Sequence, residues 1–271
     1  MTIQVGTLDV RDAFRHLGVT AGDIVLFHGS LSSMGYVLGG VTSVFDGILE
    51  ATSPGGTVAM PSLWYNGSEE RRDPAKFDVN SSPSYIGALS EGMRLDPRRC
   101  RSNHFSHAVS AIGSRAAELC ADHASGASRP SPWSDQAFGH GSPWQKLYDW
   151  DSWYCFIGVT MRVCTMKHFI EGELVARTLA RSQNPTEARN LLNQNCTKAP
   201  YGWPYFNSER LQKILQESGH FVTTTLGSAT LGGIRTRTLV NQAIRIIEEN
   251  PLDWLGTKFI EWQNNVTAQN A

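Results

Sequence analysis

Residues 23–61 read as a strand, a helix and a second strand, and this unit constrains the fold more than any other part of the chain. Ile24–Phe27 is a short apolar run, and a turn at Ser53–Gly56 precedes a second run, Thr57–Met60. Between them, apolar residues recur at helical spacing: Val41, Val44, Phe45, Ile48 and Leu49. A strand that returns through a helix pairs in parallel with the first strand, so the unit predicts an α/β fold.

The rest of the 271-residue chain continues the alternation of strands and helices. Further strands are predicted at Ala108–Ile112, at Trp153–Val159 and in a strand-like region over 221–234. Helices are predicted from Ser84, over Arg115–Cys120 with Ser114 as the cap, from Ser142 and Pro143, through His168, around Leu211–Leu215 and around Leu239–Ile247. Polar, Pro-rich and aromatic segments are predicted to leave the sheet as loop or helical excursions at about 62–83, 121–143 and 182–206.

These elements predict one domain over residues 1–271. Its expected architecture is an α/β layered sandwich with a mixed, largely parallel central sheet flanked by helices.

Composition excludes several classes of protein. A net charge of −1 offers no basic surface for nucleic acid or for an anionic membrane. No stretch approaches the roughly 20 apolar residues of a membrane span, and the N-terminus lacks the features of a signal peptide. The five cysteines are scattered and contain no C-x-x-C pair, which disfavours a zinc cage and a disulfide framework. We therefore expect a cytoplasmic protein without nucleic-acid or membrane partners.

His168 and Glu171 are the leading candidates for chemistry. They lie three residues apart just after the strand predicted at Trp153–Val159, so a following helix would place both on one face. A carboxylate that orients an imidazole makes a base that can remove a proton from a nucleophile near neutral pH. This face lies opposite the apolar stripe of the same helix, so a solvent-exposed pair without function is the alternative.

The Gly- and Ser-rich loop from Gly29 to Gly40 is a candidate ligand site. In open α/β sheets ligands bind at the carboxyl ends of strands, and small residues let backbone amides approach them. Gly39 and Gly40 begin a helix whose N-terminus favours an anion. The loop lacks the motifs of a P-loop, a dinucleotide-binding fold and a serine hydrolase. A metal hydrolase built on His28, His104 and His168 is a more distant alternative, and no metal is expected.

Several segments taken in order carry a resemblance to a known family: Gly22–Leu31, Gly39–Gly40, Gly56–Pro61, Arg72–Asp78, Pro83–Leu89, Arg101–Gly113, Phe138–Asp149, and the T-x-x-H-x-x-E pattern of Thr165, His168 and Glu171. Together they resemble the aminoglycoside 3-N-acetyltransferase family, the Antibiotic-NAT fold, which is distinct from the GNAT superfamily. Three positions depart from the family pattern: Gly29 and Ala108 each replace a Ser, and Phe105 replaces a Pro.

The resemblance implies transfer of an acetyl group from acetyl-CoA to a primary amine of an aminoglycoside-type amino sugar. His168 would be the general base, oriented by Glu171, with His28 as a third catalytic candidate. The expected CoA contacts are Gly29, Ser30, Leu31, Ser32, Ser33, Gly39, Gly40, Val41, Arg101, Ser102 and Val109. The expected acceptor contacts are Tyr65, Asp73, His104, Asp149 and Thr165.

Direct attack in a ternary complex is expected rather than an acyl-enzyme, because no cysteine occupies a matching motif position. Backbone amides of the Gly29–Leu31 turn are expected to stabilise the oxyanion that develops on the thioester.

The sequence leaves the identity of the amine acceptor open. A polycationic aminoglycoside needs an acidic cleft, and the chain as a whole is nearly neutral. The acids available for it are Asp73, Asp78, Asp149 and Asp151. A biosynthetic N-acyltransferase for another amine, from a natural-product or surface-sugar pathway, and a non-catalytic CoA-binding relative are the alternatives. The expected partners are therefore a small-molecule amine and CoA, and a homodimer is the assembly considered.

Overall fold

The strand–helix–strand unit predicted over residues 23–61 is confirmed in the computed structural model, which describes residues 3–198 and 202–268. The strands are β1 (Gln4–Val5), β2 (Ile24–Gly29), β3 (Tyr36–Val37), β4 (Thr57–Pro61), β5 (Cys100–Arg101), β6 (Val109–Gly113), β7 (Trp153–Ile157), β8 (Val222–Leu226) and β9 (Ala229–Arg235). The helices are α1 (Thr7–Leu17), α2 (Gly40–Ala51), α3 (Ala88–Leu95), α4 (Ala116–Cys120), α5 (Pro143–Asp149), α6 (Met166–Ala180), α7 (Pro185–Lys198), α8 (Ser208–Glu217), α9 (Thr236–Glu249), α10 (Pro251–Trp254) and α11 (Thr257–Thr267).

A mixed seven-stranded sheet forms the centre of the molecule, in the order β5-β6-β4-β2-β7-β9-β8. The central strand β2 pairs in parallel with β4 and β7. The outer pairings are antiparallel, because β6 and β9 run opposite to the other five strands. The predicted mixed sheet is thus confirmed, with parallel pairing confined to its three central strands. The strand-like region over 221–234 is a β8–β9 hairpin, whose short turn can join only antiparallel strands.

Helices cover both faces of the sheet, so its central strands are buried on both sides. In β2, Val25 and Phe27 pack in the hydrophobic cluster that includes residues of α1 and α2. Ile24 and Leu26 pack in the opposite cluster, which includes residues of α5, α6, α8 and α9. This burial explains the uninterrupted apolar run that the sequence shows at β2.

Two of the predicted helix starts are wrong. Helix α3 begins at Ala88 after Gly87, and the hydroxyl of Ser84 instead lies 2.7 Å from that of Ser90. Ser114 does not cap α4, because its hydroxyl donates to the carbonyl of Gly55. The cap at Ser142 is confirmed, since its hydroxyl oxygen accepts from the amide of Gln145 at 3.2 Å.

The predicted excursions differ in how far they leave the core. Residues 62–83 form a loop with two short 3-10 turns, as expected. The segment 121–143 is not a surface excursion, because Arg129 is buried in a 2.7 Å ion pair with Glu173 and Phe138 is fully buried. The segment 182–206 is also largely structured: it contains α7, whose Leu192 is fully buried. Its residues 199–201 lie outside the described residues.

The single domain over 1–271 stays a prediction, and its end residues 1–2 and 269–271 lie outside the described ranges. Within 3–198 and 202–268, no helix combines the length and the apolar character that crossing a bilayer requires.

Candidate active site

His168 and Glu171 lie on one face of α6, the α-helix that follows β7 in the chain, as their spacing predicts. Nδ1 of His168 lies 2.8 Å from Oε2 of Glu171. The side chain of Glu171 is 0% exposed and that of His168 is 16% exposed. The alternative of a solvent-exposed pair is therefore wrong, because neighbouring segments cover this face of the helix.

Aromatic side chains surround the imidazole of His168. The ring of Trp133 packs against it edge-on with ring centres 4.2 Å apart, and the rings of His107 and Phe138 lie about 6 Å away. Burial lowers the pKa of His168 well below its ordinary value. The ring is therefore neutral near pH 7 and able to accept a proton.

Glu171 is the second member of the pair. Burial raises the pKa of its carboxyl well above the usual range. Nε1 of Trp203 donates to Oε2 at 3.2 Å and favours the charged form, because an indole can only donate. When Glu171 is ionised it accepts Nδ1–H of His168, and the lone pair of Nε2 then faces away from the carboxylate.

A small cavity of about 140 Å³ opens beside His168. Its walls come from the segment after β4, the segment before β6, the start of α6 and the 121–143 segment. The lining residues are Leu63, Tyr65, Tyr85, Ser106, His107, Trp133, Thr165 and His168. The predicted acceptor contacts Tyr65 and Thr165 are thus brought to His168.

A larger groove of about 670 Å³ lies beside the loop after β2. Its lining residues are Gly29, Ser30, Leu31, Ser32, Gly35, Tyr36, Val37, Ile86, Gly87, Ala88 and Val159, none of which is charged. Tyr85 lines the cavity and the next residue, Ile86, lines the groove. The cavity and the groove therefore share the chain segment at residues 85–86.

The predicted CoA contacts divide into two groups. Gly29, Ser30, Leu31 and Ser32 line the groove, and the hydroxyl of Ser33 supports them by donating to the carbonyl of Ser30 at 2.7 Å. The structure does not bring the other predicted contacts into the groove lining: Gly39, Gly40, Val41, Arg101, Ser102 and Val109.

The residues of the second group have structural partners instead. The guanidinium of Arg101 donates to the carbonyls of Val79, Ser82 and Ser62 and so holds the 62–83 loop. The hydroxyl of Ser102 accepts from the amide of Val109 at 2.9 Å inside the sheet. Gly39 and Gly40 form the start of α2, where both have positive φ, and Val41 packs beside Gly92.

Three predicted acceptor contacts lie away from the cavity lining. Asp73 caps the 3-10 turn that begins at Pro74, and Asp149 accepts from the side-chain amide of Gln145 at 2.7 Å. Nδ1 of His104 accepts from backbone amides behind the cavity wall. Of the other acids considered, Asp78 binds the Asn80 and Ser81 amides and Asp151 accepts from the amide of Arg237.

His28 acts on the site indirectly, through Tyr154. Its Nε2 lies 2.7 Å from the hydroxyl of Tyr154, whose oxygen accepts from the amide of Met166 at 3.1 Å. Burial lowers the pKa of His28 to about 3, so its ring is neutral and can accept from Tyr154. This chain of bonds fixes the start of α6, and with it the position of His168.

The expected oxyanion donors are only partly free. The amide of Ser30 donates to the carbonyl of Ile157 at 3.0 Å and is not available to a ligand. Leu31 and Ser32 begin a 3-10 turn, where the first amides have no partner within the turn.

The metal-hydrolase alternative lacks its ligand set in the described part of the chain. No group of three or more His, Cys, Asp or Glu side chains there could hold a metal ion. His28 and His104 are each engaged by protein hydrogen bonds, to Tyr154 and to backbone amides respectively.

Sequence reasoning gave no individual role to Trp133, Trp203, Ser106 or His107. The eight tryptophans of the chain were a signal, but their number does not say which of them face a cavity. Ser106 and His107 lie within the family-like segment at 101–113, yet no feature of the sequence places them beside α6.

Comparison with known proteins agrees with this architecture. Residues 26–248 match the family model described as aminoglycoside 3-N-acetyltransferase, Antibiotic_NAT. Aminoglycoside N(3)-acetyltransferase IX of Micromonospora chalcea is 28% identical over 170 residues, which are 57% of this chain and 57% of that protein. Aminoglycoside N(3)-acetyltransferase III of Serratia marcescens is 30% identical over 169 residues, 57% of this chain and 60% of that protein. The match to these curated relatives thus spans less than two thirds of their length.

Solved structures show the same fold. The apoenzyme of aminoglycoside acetyltransferase AAC(3)-IVa superposes with a TM-score of 0.71 at 20% identity and covers 100% of both chains. The AAC-IIIb binary complex with CoASH superposes with a TM-score of 0.69 at 18% identity, over 94% of this chain and 98% of that one. With the family match over most of its length, this chain belongs to the aminoglycoside 3-N-acetyltransferase family.

Proposed function

We propose that this protein is an acetyl-CoA-dependent N-acetyltransferase in which His168, oriented by Glu171, is the general base. The observation that carries the proposal is the 2.8 Å contact between Nδ1 of His168 and Oε2 of Glu171, with His168 on the wall of a cavity. Membership of the family and the named activities of its curated relatives support the same reaction.

The pair has the chemistry that acetyl transfer to an amine requires. Nε2 of His168 takes the proton of the amine as the amine nitrogen bonds to the acetyl carbon, and the imidazolium is stabilised by the carboxylate of Glu171. The C–S bond then breaks, and the same proton passes from His168 to the departing thiolate. Atoms and charges balance without any other protein group.

Acetyl-CoA supplies the acetyl thioester, and the groove suits its pantetheine arm. The arm is long, narrow and uncharged, and the groove is lined only by uncharged residues, most of them apolar or glycine. The structural neighbour AAC-IIIb is a complex with CoASH, which supports the same donor here.

Direct attack in a ternary complex remains our expectation. Burial raises the pKa of the Cys120 and Cys164 thiols to about 12, which disfavours their reactive thiolate forms. None of the described cysteines lines the cavity beside His168. A cysteine acyl-enzyme therefore has no support in the site.

An amine of an aminoglycoside-type sugar is the first candidate acceptor, because the relatives carry that activity in their names. One observation favours a second candidate, an N-acyltransferase for an amine of low charge. No carboxylate is among the residues that line the cavity, and Asp73 and Asp149 are engaged elsewhere. A polycation gains most from a cleft lined with acids. A non-catalytic CoA-binding relative is disfavoured by the intact His168–Glu171 pair.

An acceptor screen tests the proposal. The wild-type protein is incubated with acetyl-CoA and single amines, namely aminoglycosides and sugars that carry one amine. Thiol release and the mass of the acetylated product are measured. Acetylated aminoglycosides support the first candidate, and product from mono-amines alone supports the second. CoA binding without product from any amine would contradict the proposed reaction.

The homodimer and the cytoplasmic location stay predictions. Light scattering measures whether the protein is a dimer.

A further inference from the structure

A second imidazole, that of His107, lies on the cavity wall next to His168. The two ring centres are 6.0 Å apart and the rings are nearly perpendicular, at 79°. Trp133 and Phe138 pack against the His107 ring at 4.9 and 4.7 Å. No step of the mechanism above uses His107, although it lines the same cavity.

The hydrogen bonds of His104 fix its own tautomer. The backbone amides of Ser106 and His107 donate to its Nδ1 at 3.3 and 3.2 Å. An amide N–H can only donate, so this nitrogen carries no hydrogen. Burial lowers the pKa of His104 to about 4, so its ring is neutral and carries its single proton on Nε2.

The hydroxyl of Ser106 in turn fixes the tautomer of His107. It lies 2.8 Å from Nδ1 of His107 and 3.3 Å from Nδ1 of His104. The His104 nitrogen already receives two backbone amides, so the Ser106 hydroxyl donates to His107. Burial lowers the pKa of His107 well below its ordinary value, so that ring is neutral. Its hydrogen is therefore on Nε2, the edge turned away from Ser106.

The cavity that both imidazoles line indicates what this N–H can contact. His107 and His168 lie on the same cavity wall with ring centres 6.0 Å apart, so a group held there for the base also lies close to the His107 ring. A donor on this ring is therefore within reach of the reacting atoms. The amide of Ser30 cannot serve the thioester oxygen, because it is committed to the carbonyl of Ile157, and a side-chain donor would act together with the amides at the start of the Leu31 turn.

We propose that His107, held as its Nε2–H tautomer by Ser106, donates a hydrogen bond to the thioester carbonyl oxygen as negative charge develops on it. The proton stays on His107 throughout, and a neutral imidazole can act in this way without becoming a competing base. This role rests on the acetyl transfer proposed above. Ser106 is a positioning residue that acts through His107.

Two substitutions of His107 separate the donor from the shape of the ring. His107→Phe keeps a flat ring and removes the N–H, and we expect kcat to fall about 10²- to 10³-fold, as for other lost oxyanion donors. The KM for acetyl-CoA is expected to stay within about threefold, since the groove is untouched. His107→Gln offers an amide N–H near the place of Nε2 and is expected to recover most of the loss. Melting temperatures check that both variants fold.

Nitrogen-15 NMR of the histidine rings provides a readout that does not depend on turnover. The wild-type protein is expected to show His107 as a single neutral Nε2–H tautomer near pH 7. Ser106→Ala removes the donor to Nδ1 and is expected to give a mixture of tautomers with an intermediate kcat. A wild-type Nδ1–H tautomer would overturn the proposal even if His107→Phe fails to fold.

The kinetic outcomes distinguish this inference from the proposed reaction. If wild-type protein acetylates an amine and folded His107→Phe keeps kcat within threefold, His107 is not an oxyanion donor and the transferase stands. The same conclusion follows if only the KM for the amine rises, because that indicates acceptor binding. If wild-type protein acetylates no amine, the proposed function fails first and this role fails with it.

Discussion

At the scale of single residues, the site depends on a carboxylate that is taken fully out of water. Glu171 is 0% exposed, and both His168 and Trp203 contact the same oxygen, Oε2. A buried charge is tolerated only when such donors compensate for lost hydration. When Glu171 is ionised, it keeps the hydrogen of His168 on Nδ1, and Nε2 is then free to act as the proposed base.

Replacing Glu171 by Gln tests this dependence. The amide cannot stabilise an imidazolium by charge, so we expect kcat to fall about 10²- to 10⁴-fold, the range of a compromised general base. Loss of the negative charge also disfavours protonation of His168, so the acid limb of the kcat/KM profile should move to lower pH. The pH dependence of kcat/KM for wild type and E171Q measures both effects. An unchanged acid limb with full activity would show that Glu171 does not act on His168.

Part of the site could be predicted from individual residues, and part could not. The spacing of His168 and Glu171 follows from helical periodicity, and the segment Gly29–Ser32 follows from its place after a buried strand. The burial of the pair could not be predicted, because it depends on Trp133 and Trp203, which reach α6 from distant segments. Arg101 was assigned to CoA on resemblance alone, whereas its partners are the carbonyls of the 62–83 loop.

At the scale of elements, strands were easier to predict than the segments between them. The strands β2 and β7 are covered on both faces and show as apolar runs in the sequence. The bounds of helix α7 were not predicted because its sequence is mostly polar. The helix is held by tertiary contacts such as Nε1 of Trp262 donating to the carbonyl of Ala188 at 2.9 Å.

The loop after β2 also depends on one close approach of two elements. Gly158 follows β7 with a φ of +62°, and a methyl group there would overlap the side chain of Ser33. Ser33 holds the carbonyl of Ser30 at the groove. Gly158→Ala is therefore expected to displace the groove loop and raise the KM for acetyl-CoA several-fold. Steady-state kinetics and melting temperature measure the two effects.

Gly219→Ala is the matched control for that substitution. Gly219 also has a positive φ, of +74°, but no atom lies within 4 Å of the place its methyl group would take. It should lose only the roughly 1–2 kcal/mol of a left-handed non-glycine residue and leave KM unchanged. Equal KM values in both variants would contradict the coupling of Gly158 to the groove.

At the scale of the whole molecule, neutral buried histidines make stability depend on pH. Burial lowers the pKa of His28 to about 3 and that of His104 to about 4. It also lowers the pKa of His107 and of His123 well below their ordinary value of 6.5. Below pH 6.5 the unfolded chain binds protons at these residues that the folded chain does not bind. Their contribution to stability is therefore present above pH 6.5 and is lost as the pH falls toward 4.

Each such imidazole is expected to lower the free energy of unfolding by about 1.4 kcal/mol per pH unit below the unfolded-state pKa. Urea denaturation at pH 8, 6.5, 5.5 and 5 measures the slope. His123→Gln removes one of the titrating groups and should flatten the slope by about that amount. A midpoint that does not change between pH 8 and pH 5 would contradict the neutral burial of these residues.

The central claim is that the imidazole of His168 is the base. It lies at a cavity lined by the segments after β4 and before β6, by the 121–143 segment and by the start of α6. The most direct test of this claim is kcat/KM for amine acetylation by wild type and by His168→Gln, which keeps a polar side chain of similar reach and is checked for folding by its melting temperature. We predict a loss of about 10²- to 10⁴-fold at neutral pH, because the attacking amine then lacks the base that takes its proton. Activity within threefold of wild type in the folded variant would show that another group removes the proton.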